Sequence, residues 1–390
     1  MSIRKVYLDH SATTPVAAEV LEAMLPYFSE IPGNPNSIHA WGQEAAKALK
    51  KAREQVAALL GAKPEEIIFT GGGSEADNLA IKGTALLEKN RGKHLITTAV
   101  EHHAVLDTCR WLEEQGFSLT VLPVNSYGQV TPEQVRGALR EDTFLVSVMH
   151  GNNEVGSLNP VAKIGDLCRE RGVLFHVDAV QTAGHLPINL QELPVDLLTL
   201  SAHKMYGPKG IGALYVRKKT PLVPLVHGGG QEFGLRSGTE SMPSIVGFGA
   251  AAALGARRLQ DGSVEEEKRL RDLLIRQVLE RNDEVILTGH PEERLPYHTS
   301  FCIHHIEGEA ILLRLDALGI GASSGSACTS GSLEPSYVLL AMGLDHATAH
   351  GSLRMTLGKD TSEEDIRYTA ENLQEVVRVL RKMSPFGRKG

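Results

Sequence analysis

Several apolar runs of this sequence are followed by side chains that can do chemistry. His102 follows the run HLITTA, and Asn153 follows FLVSVM. Asp178 and Gln181 lie at the end of VLFHVD, and Lys204 comes just after DLLTLS. A lysine beside an apolar strand and among hydroxyl and imidazole groups can have a lowered pKa and act as an amine nucleophile, although a solvated loop lysine is the ordinary alternative. The other polar residues after these runs are Glu101, His103, His150, Asn152 and Glu154.

A glycine-rich loop, Gly71 to Gly73 followed by Ser74, comes directly after the run IIFT. Small residues let backbone N–H groups approach an anion at the start of the next helix. The loop lacks the spacing of a nucleoside triphosphate loop and of a dinucleotide fingerprint, so a simple tight turn stays an alternative. Together with Lys204 and Asp178, however, it meets the needs of pyridoxal phosphate, namely an amine for a Schiff base, an acid for the ring nitrogen and a phosphate cradle.

These residues need a scaffold that brings them to one place. Between residues 56 and 216, short β-rich apolar runs alternate with helical patterns, which predicts βαβ units around a mainly parallel sheet. The runs are almost continuously apolar, as expected for a sheet covered by helices on both faces. Because functional groups of such sheets collect at the carboxyl ends of the strands, the polar residues are expected to converge there.

The last third of the sequence has a different pattern. We expect a helix near residue 263, with Ser263 as its N-cap and Glu266 closing a capping box, and a domain boundary near residue 255. The strand SFCIHH, the helix GEAILLRLDALG, the loop SSGSACTSGS and a final helix from Thr361 predict a smaller α+β domain.

Composition excludes several classes of protein. The 390 residues carry 40 basic and 47 acidic side chains, a net charge of −7, and 42% are hydrophobic, so the chain is globular rather than disordered. The negative charge argues against binding to nucleic acid or a membrane. The start MSIRKVYLDHS lacks a signal-peptide core, so we expect a cytoplasmic protein. Four cysteines without a C-x-x-C pair argue against a disulfide framework, and no metal is expected.

Nine segments in order along nearly the whole chain closely resemble the cysteine desulfurase family of class V aminotransferases. The resemblance is to the group found in nitrogen fixation and iron-sulfur cluster assembly, called group I. The segments are YLDHSATTP, GNPNSIHAWG, FTGGGSEADNLAIKG, EHHAVLD, HGNNEVG, HVDAVQ, SAHKMYGPKGIGALYVR, GGGQEFGLRSGTES and SSGSACTSGSLEPSYVL.

This resemblance implies an α/β fold of the fold-type I, aspartate aminotransferase-like class. A large domain, residues 16–255, would hold a mainly parallel seven-stranded sheet and bind pyridoxal 5'-phosphate. A smaller α+β domain, residues 1–15 and 256–390, would carry the catalytic cysteine loop. Members of the family are homodimers with shared active sites.

The resemblance also implies a role for each matching residue. Lys204 would bind the cofactor as a Schiff base, Cys328 would be the nucleophile, and His102 would stack on the cofactor ring or exchange protons. The remaining cofactor residues would be Asp178 at the ring nitrogen, Gln181 at the phenolate oxygen, and Gly73, Ser74, Ser201, His203 and the Thr239 of the second subunit at the phosphate. Arg354 would take the substrate carboxylate, with Asn153 beside it. Ser74 stands where many relatives have threonine, which keeps the hydroxyl.

The implied reaction removes sulfur from L-cysteine to give L-alanine and a persulfide on Cys328. The persulfide would pass to a sulfur-acceptor protein such as an iron-sulfur scaffold. The small residues around Cys328 suit an exposed, reactive thiol, whereas the neighbours of Cys109, Cys168 and Cys302 suit buried thiols.

Three alternatives remain at this point. Another pyridoxal phosphate reaction on the same fold, such as aminotransfer, would have no use for a thiol at residue 328. Selenocysteine lyase activity would need less help from that thiol. A protein-binding role with vestigial catalysis would not need the full set of predicted residues.

Overall fold

The computed structural model describes residues 4–88, 92–325 and 334–384. Cys328 therefore lies outside the described residues. Within those residues, no helix has the length and apolar content needed to cross a bilayer.

A seven-stranded sheet forms the centre of the larger part of the molecule. Its strands are β2 (Ile67–Thr70), β3 (His94–Thr98), β4 (Ser118–Leu122), β5 (Thr143–Ser147), β6 (Leu174–Asp178), β7 (Leu197–Ser201) and β8 (Gly212–Val216). Their spatial order is β2, β8, β7, β6, β5, β3, β4. Strand β8 runs antiparallel to both of its neighbours, and the other pairs are parallel. The predicted α/β fold with a mainly parallel seven-stranded sheet is confirmed.

Helices cover both faces of this sheet. They are α1 (Ala18–Met24), α2 (Pro26–Ser29), α3 (Ala40–Leu59), α4 (Gly73–Glu88), α5 (His103–Glu114), α6 (Pro132–Ala138), α7 (Val161–Arg171) and α8 (Met242–Arg258). Consecutive strand residues point to opposite faces, so Leu145 packs with α4 and α5 while Val146 packs in the core that includes α3, α7 and α8. Burial on both faces explains the continuous apolar runs.

A second core lies in the remaining part of the chain. Its strands are β1 (Val6–Tyr7), β9 (Val285–Leu287), β10 (His298–Ile303), β11 (Ile320–Gly321) and β12 (Ser352–Thr356). Its helices are α9 (Ser263–Arg281), α10 (Gly308–Ala317), α11 (Tyr337–Ala341), α12 (His346–His350) and α13 (Glu363–Met383). Strands β9, β10 and β12 form an antiparallel sheet, and Val6 of the amino-terminal β1 pairs with Ile320. The predicted division at residue 255 stays a prediction.

The predicted cap of helix α9 is wrong by one residue. Gly262 occupies the N-cap with a φ of 85°, and Ser263 is already the first helical residue. The backbone N–H of Ser263 donates to the Asp261 carboxylate over 3.0 Å. An aspartate two residues before the helix therefore satisfies a donor that the sequence pattern had assigned to a serine cap.

Candidate active site

A cavity of about 460 Å³ lies at the carboxyl ends of the central strands. It brings together ten of the twelve predicted site residues. These are Gly73, Ser74, His102, Asn153, Asp178, Gln181, Ser201, His203, Lys204 and Arg354. Their predicted roles stay predictions, but their convergence agrees with the sheet-edge argument.

Strand ends place three of these side chains. Asp178 is the last residue of β6 and Ser201 is the last residue of the adjacent β7. His102 follows β3 as the N-cap of α5. Each is carried by a buried strand or a helix end, so the cavity wall is set by the most tightly packed part of the fold.

Lys204 ends a short 3₁₀ turn that directly follows β7. Its Nζ donates to the backbone oxygens of Ser11 and Ala12 over 2.6 and 2.7 Å. The amino-terminal segment therefore folds over the carboxyl ends of the strands and holds the amine at the cavity. Thr14 fixes that segment in turn, because its N–H donates to the His203 oxygen over 2.9 Å.

The acid beneath the cavity is Asp178. Its Oδ1 accepts the Val180 N–H over 2.9 Å. Burial raises the pKa of Asp178 to about 6, while that hydrogen bond and Lys204 oppose the rise. The carboxyl group is therefore mostly ionised near pH 7 and can accept a hydrogen bond from a protonated ring nitrogen.

A second buried acid, Asp77, lines the same cavity and had not been singled out from sequence. Burial, reinforced by Asp178 and Glu101, raises its pKa well above the usual range. Its Oδ1 has no hydrogen-bond partner among the described residues and lies 3.6 Å from His176 Nε2. The Lys204 charge favours the ionised form of Asp178, so the proton of this acidic pair belongs on Asp77 and the charge on Asp178.

His102 has a fixed and neutral imidazole ring. Its Nδ1 accepts the Ala104 N–H over 3.1 Å, which leaves the ring proton on Nε2. Burial first, and then the Lys204 charge, lower the pKa of His102 to about 4. Stacking on a cofactor ring and proton exchange, the two roles predicted for His102, stay predictions.

The glycine-rich loop forms a shallow cup at the start of helix α4. A second cavity, about 410 Å³, is lined by Gly71 to Ser74, Glu75, Ser201, His203 and Lys209. The charge of Glu75 is balanced by Arg236, whose Nε donates to Glu75 Oε1 over 2.8 Å. Gly72 has a φ of 151° that favours glycine, and a Cβ on Gly73 would lie 3.0 Å from Val180 Cγ2. Backbone N–H groups, hydroxyls and the helix N-terminus suit a phosphate group. With Lys204 and Asp178 adjacent, these residues fit pyridoxal phosphate.

Gln181 is held between two neighbours. Its Nε2 donates to the Ser11 oxygen over 3.0 Å, and its Oε1 accepts the Tyr297 hydroxyl proton over 2.6 Å. The amide orientation is therefore fixed, and the second Nε2 proton is left for a ligand oxygen. This agrees with the predicted contact to a phenolate oxygen.

Arg354 reaches the cavity from strand β12. Its Nη2 donates to Asp9 Oδ1 over 3.0 Å and its Nη1 to the Asn153 oxygen over 2.9 Å. Its buried Nε has no partner among the described residues. A guanidinium with an unused buried donor suits a carboxylate ligand, because the two carboxylate oxygens can accept hydrogen bonds from Nε and Nη2 on the same edge.

Two predicted site residues remain, Thr239 and Cys328. Thr239 is exposed on the surface, so the structure of one chain does not bring it to the phosphate cup. Cys328 lies in the part of the chain that is not described. The other three cysteines are buried free thiols, as predicted. Burial raises the pKa of both Cys168 and Cys302 to about 12, which makes these thiols unreactive.

Residues 6–368 match the family model described as aminotransferase class-V. The chain is 50% identical to a protein named cysteine desulfurase IscS from Dictyoglomus turgidum, over 98% of this chain and 97% of the relative. It is also 50% identical to a cysteine desulfurase IscS from Methanosarcina thermophila, over 99% and 95%.

Solved structures give the same picture. A structure described as a NifS-like protein superposes with a TM-score of 0.91 at 39% identity and covers 97% of this chain and 100% of its own. A structure described as SspA in complex with cysteine has a TM-score of 0.81 at 39% identity, covering 90% and 99%. The similarity therefore extends over both cores of the molecule.

Proposed function

The chain belongs to the aminotransferase class-V family, and from that membership we propose that it is a pyridoxal phosphate-dependent cysteine desulfurase. The supporting observation is that Lys204, Asp178 and Arg354 meet in a single cavity. An amine, a buried anion and a carboxylate receptor are what a cofactor-bound amino acid requires. Two relatives at 50% identity carry the name of this activity.

The cofactor would be held at three points. Lys204 would bind it covalently, Asp178 would accept the proton of the ring nitrogen, and the cup from Gly71 to Ser74 would hold its phosphate. His102 would cover one face of the ring. Bound in this way, pyridoxal phosphate supplies an electron sink for the bonding electrons left on the substrate Cα.

The residues around the cofactor would orient the substrate and move its proton. Arg354 binds the carboxylate of L-cysteine, which fixes the amino acid relative to the sheet edge. The Nζ of Lys204 takes the Cα proton and later returns a proton to the product.

Cys328 would complete the reaction. Its Sγ forms a bond to the sulfur of L-cysteine while the Cβ–S bond of the substrate breaks. The electron pair of that bond stays on the substrate carbon, which takes up a proton and leaves as L-alanine. One thiol and one L-cysteine thus give one persulfide and one L-alanine, without an external oxidant.

The proposal extends to partners and location. The persulfide sulfur would pass to an acceptor protein, such as a scaffold for iron-sulfur clusters. We assign residues 16–255 to the cofactor domain, and residues 1–15 and 256–390 to the smaller domain. A cytoplasmic location suits a catalytic thiol, because that compartment keeps thiols reduced.

A homodimer is part of the same proposal. Ile38, Trp41 and Phe233 are exposed by 95%, 61% and 63% of their surface. Their two segments adjoin, because Asn36 Nδ2 lies 3.3 Å from the Glu240 carboxylate. We define Ile38, Trp41 and Phe233 as the dimer face. Phe233 lies six positions before Thr239, and Asn36, near Ile38, contacts the adjacent Glu240, so a second subunit here could receive Thr239 at its phosphate cup.

The test follows the visible spectrum of the purified protein before and after L-cysteine, with L-alanine and sulfide assayed in wild type and Cys328→Ala. We expect a band shift in both proteins, but sulfide in the presence of a reductant only from wild type. Equal sulfide release from Cys328→Ala would contradict the persulfide mechanism. A lyase acting on another substrate, such as selenocysteine, would then be the better assignment.

A further inference from the structure

Glu154 is a buried acid of the HGNNEVG segment that the reaction above does not use. Only 2% of the residue is exposed, and it does not line the cavity. Its backbone is held independently of its carboxyl group, because the N–H groups of Glu154 and Val155 donate to Asn152 Oδ1 over 2.8 and 2.9 Å. The shape of this turn therefore does not explain why an acid is buried at position 154.

Two segments of the second core, one after β11 and one at the start of α11, converge on that carboxyl. The hydroxyl of Ser336 donates to Glu154 Oε2 in a short hydrogen bond. From the other side Gly325 packs so closely that a Cβ on it would lie 2.7 Å from Glu154 Oε2 and 2.9 Å from Ser336 Cβ. Gly325 and Ser336 flank the stretch of sequence that holds Cys328, so one carboxyl contacts both of its ends.

The same contacts connect this point to the substrate site. Ser323 pairs with Arg354 through two backbone hydrogen bonds of 3.1 and 2.7 Å. Asn153, next to Glu154 in sequence, accepts the Arg354 Nη1 proton through its backbone oxygen over 2.9 Å. The group proposed to bind the carboxylate and the two ends of the cysteine segment are thus held by neighbouring residues of one turn.

We propose that Glu154 is a positioning residue that clasps the two ends of the Cys328 segment through Ser336 and Gly325. The clasp sets where the segment leaves and rejoins the fold relative to Arg354. This inference rests on the proposed function, since it assigns Glu154 to the step made by Cys328. Glu154, Gly325 and Ser336 do not line the cavity, so we assign the clasp to sulfur transfer by Cys328 and not to the contacts of the cofactor.

The experiment separates those two steps. In single-turnover reactions of the holoenzyme with L-cysteine, persulfide on Cys328 is followed by mass spectrometry, and substrate binding by the visible spectrum. We expect Glu154→Ala to slow persulfide formation about tenfold to a hundredfold, as misplacement of a reacting group does. The spectroscopic Kd for L-cysteine should stay within about twofold, because Asn152 still holds the turn.

Two more variants keep the test decisive. Glu154→Gln keeps both the size of the side chain and an acceptor for Ser336. Because burial raises the pKa of Glu154 to about 7, the site also tolerates a neutral side chain, and this variant should restore the rate. Ser336→Ala removes the donor and should slow persulfide formation like Glu154→Ala. Ser336 also caps helix α11, so Asp345→Ala, which removes the corresponding cap of the neighbouring α12, is the matched control and should react normally.

Two results would overturn the inference. One is persulfide formation at the wild-type rate in both Glu154→Ala and Ser336→Ala. The other is a loss of L-cysteine binding equal to the loss of rate, which would assign Glu154 to the Arg354 site instead. If wild type itself forms no persulfide, the proposed function fails, and that outcome is distinct from either of these.

Discussion

At the scale of single residues, charge balance in the cavity decides how the substrate is held. Arg354 is 3% exposed at its side chain and already has an ion-pair partner in Asp9, which is 21% exposed. The pair holds the guanidinium in place, but Asp9 also lowers the positive potential that a substrate carboxylate meets. Asp9 therefore lowers the expected affinity for the substrate carboxylate and fixes the orientation of the Arg354 guanidinium.

Asp9→Asn tests this balance. The amide oxygen can still accept from Arg354 Nη2, whereas the competing negative charge is gone. We expect KM for L-cysteine to fall about threefold to tenfold with little change in kcat, because the interaction affects binding of the carboxylate and not the reacting atoms. Steady-state kinetics measure this, with Glu375→Gln on the surface of α13 as the charge-matched control. A raised or unchanged KM would contradict this role for Asp9.

Glu101 gives a prediction on pH and stability. Burial raises its pKa from 4.5 to about 8, opposed by hydrogen bonds from Met149 N–H and the Thr98 hydroxyl. Above pH 4.5 the unfolded chain loses a proton that the folded protein keeps. The free energy of unfolding should therefore fall as pH rises from 4.5 to about 8, by up to about 1.4 kcal/mol per pH unit.

Glu101→Gln removes this titration. Measured by denaturant unfolding across that pH range, the variant should lose less stability than wild type as pH rises. The comparison is of slopes, so any constant cost of the substitution cancels. Parallel slopes would mean that Glu101 is ionised in the folded protein and that its burial is balanced by other groups.

At the scale of elements, the phosphate cup depends on close packing between β8 and the glycine-rich loop. Gly212 is the first residue of β8, and a Cβ there would lie 2.5 Å from the Gly72 carbonyl carbon and 2.7 Å from the Leu200 oxygen. Backbone atoms cannot move aside as a flexible side chain can. The antiparallel β8 thus supports the loop from behind, between β2 and β7.

Gly212→Ala should therefore displace the cup. We expect weaker retention of pyridoxal phosphate, and a loss of stability of about 1 to 3 kcal/mol from overpacking. Cofactor absorbance after dialysis and denaturant unfolding measure the two effects. Gly137→Ala in α6, where a Cβ meets nothing within 4 Å, is the control and should retain the cofactor. Equal retention by both variants would show that β8 does not support the cup.

The elements that the sequence predicted best were those buried on both faces. Strands β2, β3, β5, β6 and β7 coincide with the apolar runs, because such strands have to be apolar throughout. Strand β4 was missed because it is only partly buried, so its sequence SLTVL is not continuously apolar. Strand β8 was missed because its run GALYV begins with glycine after a glycine-rich turn.

The residues of the candidate site also differ in whether the sequence could predict them. Residues at strand ends, such as Asp178 and Lys204, could be found from the local pattern and the family resemblance. The partners Asp9 and Arg354 lie 345 positions apart, and no spacing rule connects them. Asp77 was missed because it faces the cavity from inside helix α4, where an acid is unremarkable in sequence.

At the scale of the whole molecule, the residue predicted to reach the phosphate from a second subunit is Thr239. Thr239 is exposed, and the proposed dimer face next to it carries Phe233. If two chains meet there, a substitution that breaks the dimer should also weaken cofactor binding. An aspartate in place of Phe233 puts an unpaired charge into that face, which is costly when it is buried.

We expect Phe233→Asp to shift the protein from dimer to monomer in light scattering, and to retain less pyridoxal phosphate. Leu313→Asp provides the control, because Leu313 is 73% exposed on helix α10 of the other core. That variant should remain dimeric and keep its cofactor. A Phe233→Asp dimer of unchanged stability would place the interface elsewhere.

The proposed function requires that this protein takes sulfur from L-cysteine and holds it on Cys328. The most direct measurement is peptide mass spectrometry of the holoenzyme after one turnover with L-cysteine labelled with heavy sulfur. We predict one labelled sulfur atom on the peptide that contains Cys328, an equal amount of L-alanine, and no label in Lys204→Ala. Label on another cysteine, or L-alanine formed while Cys328 stays unmodified, would contradict the account.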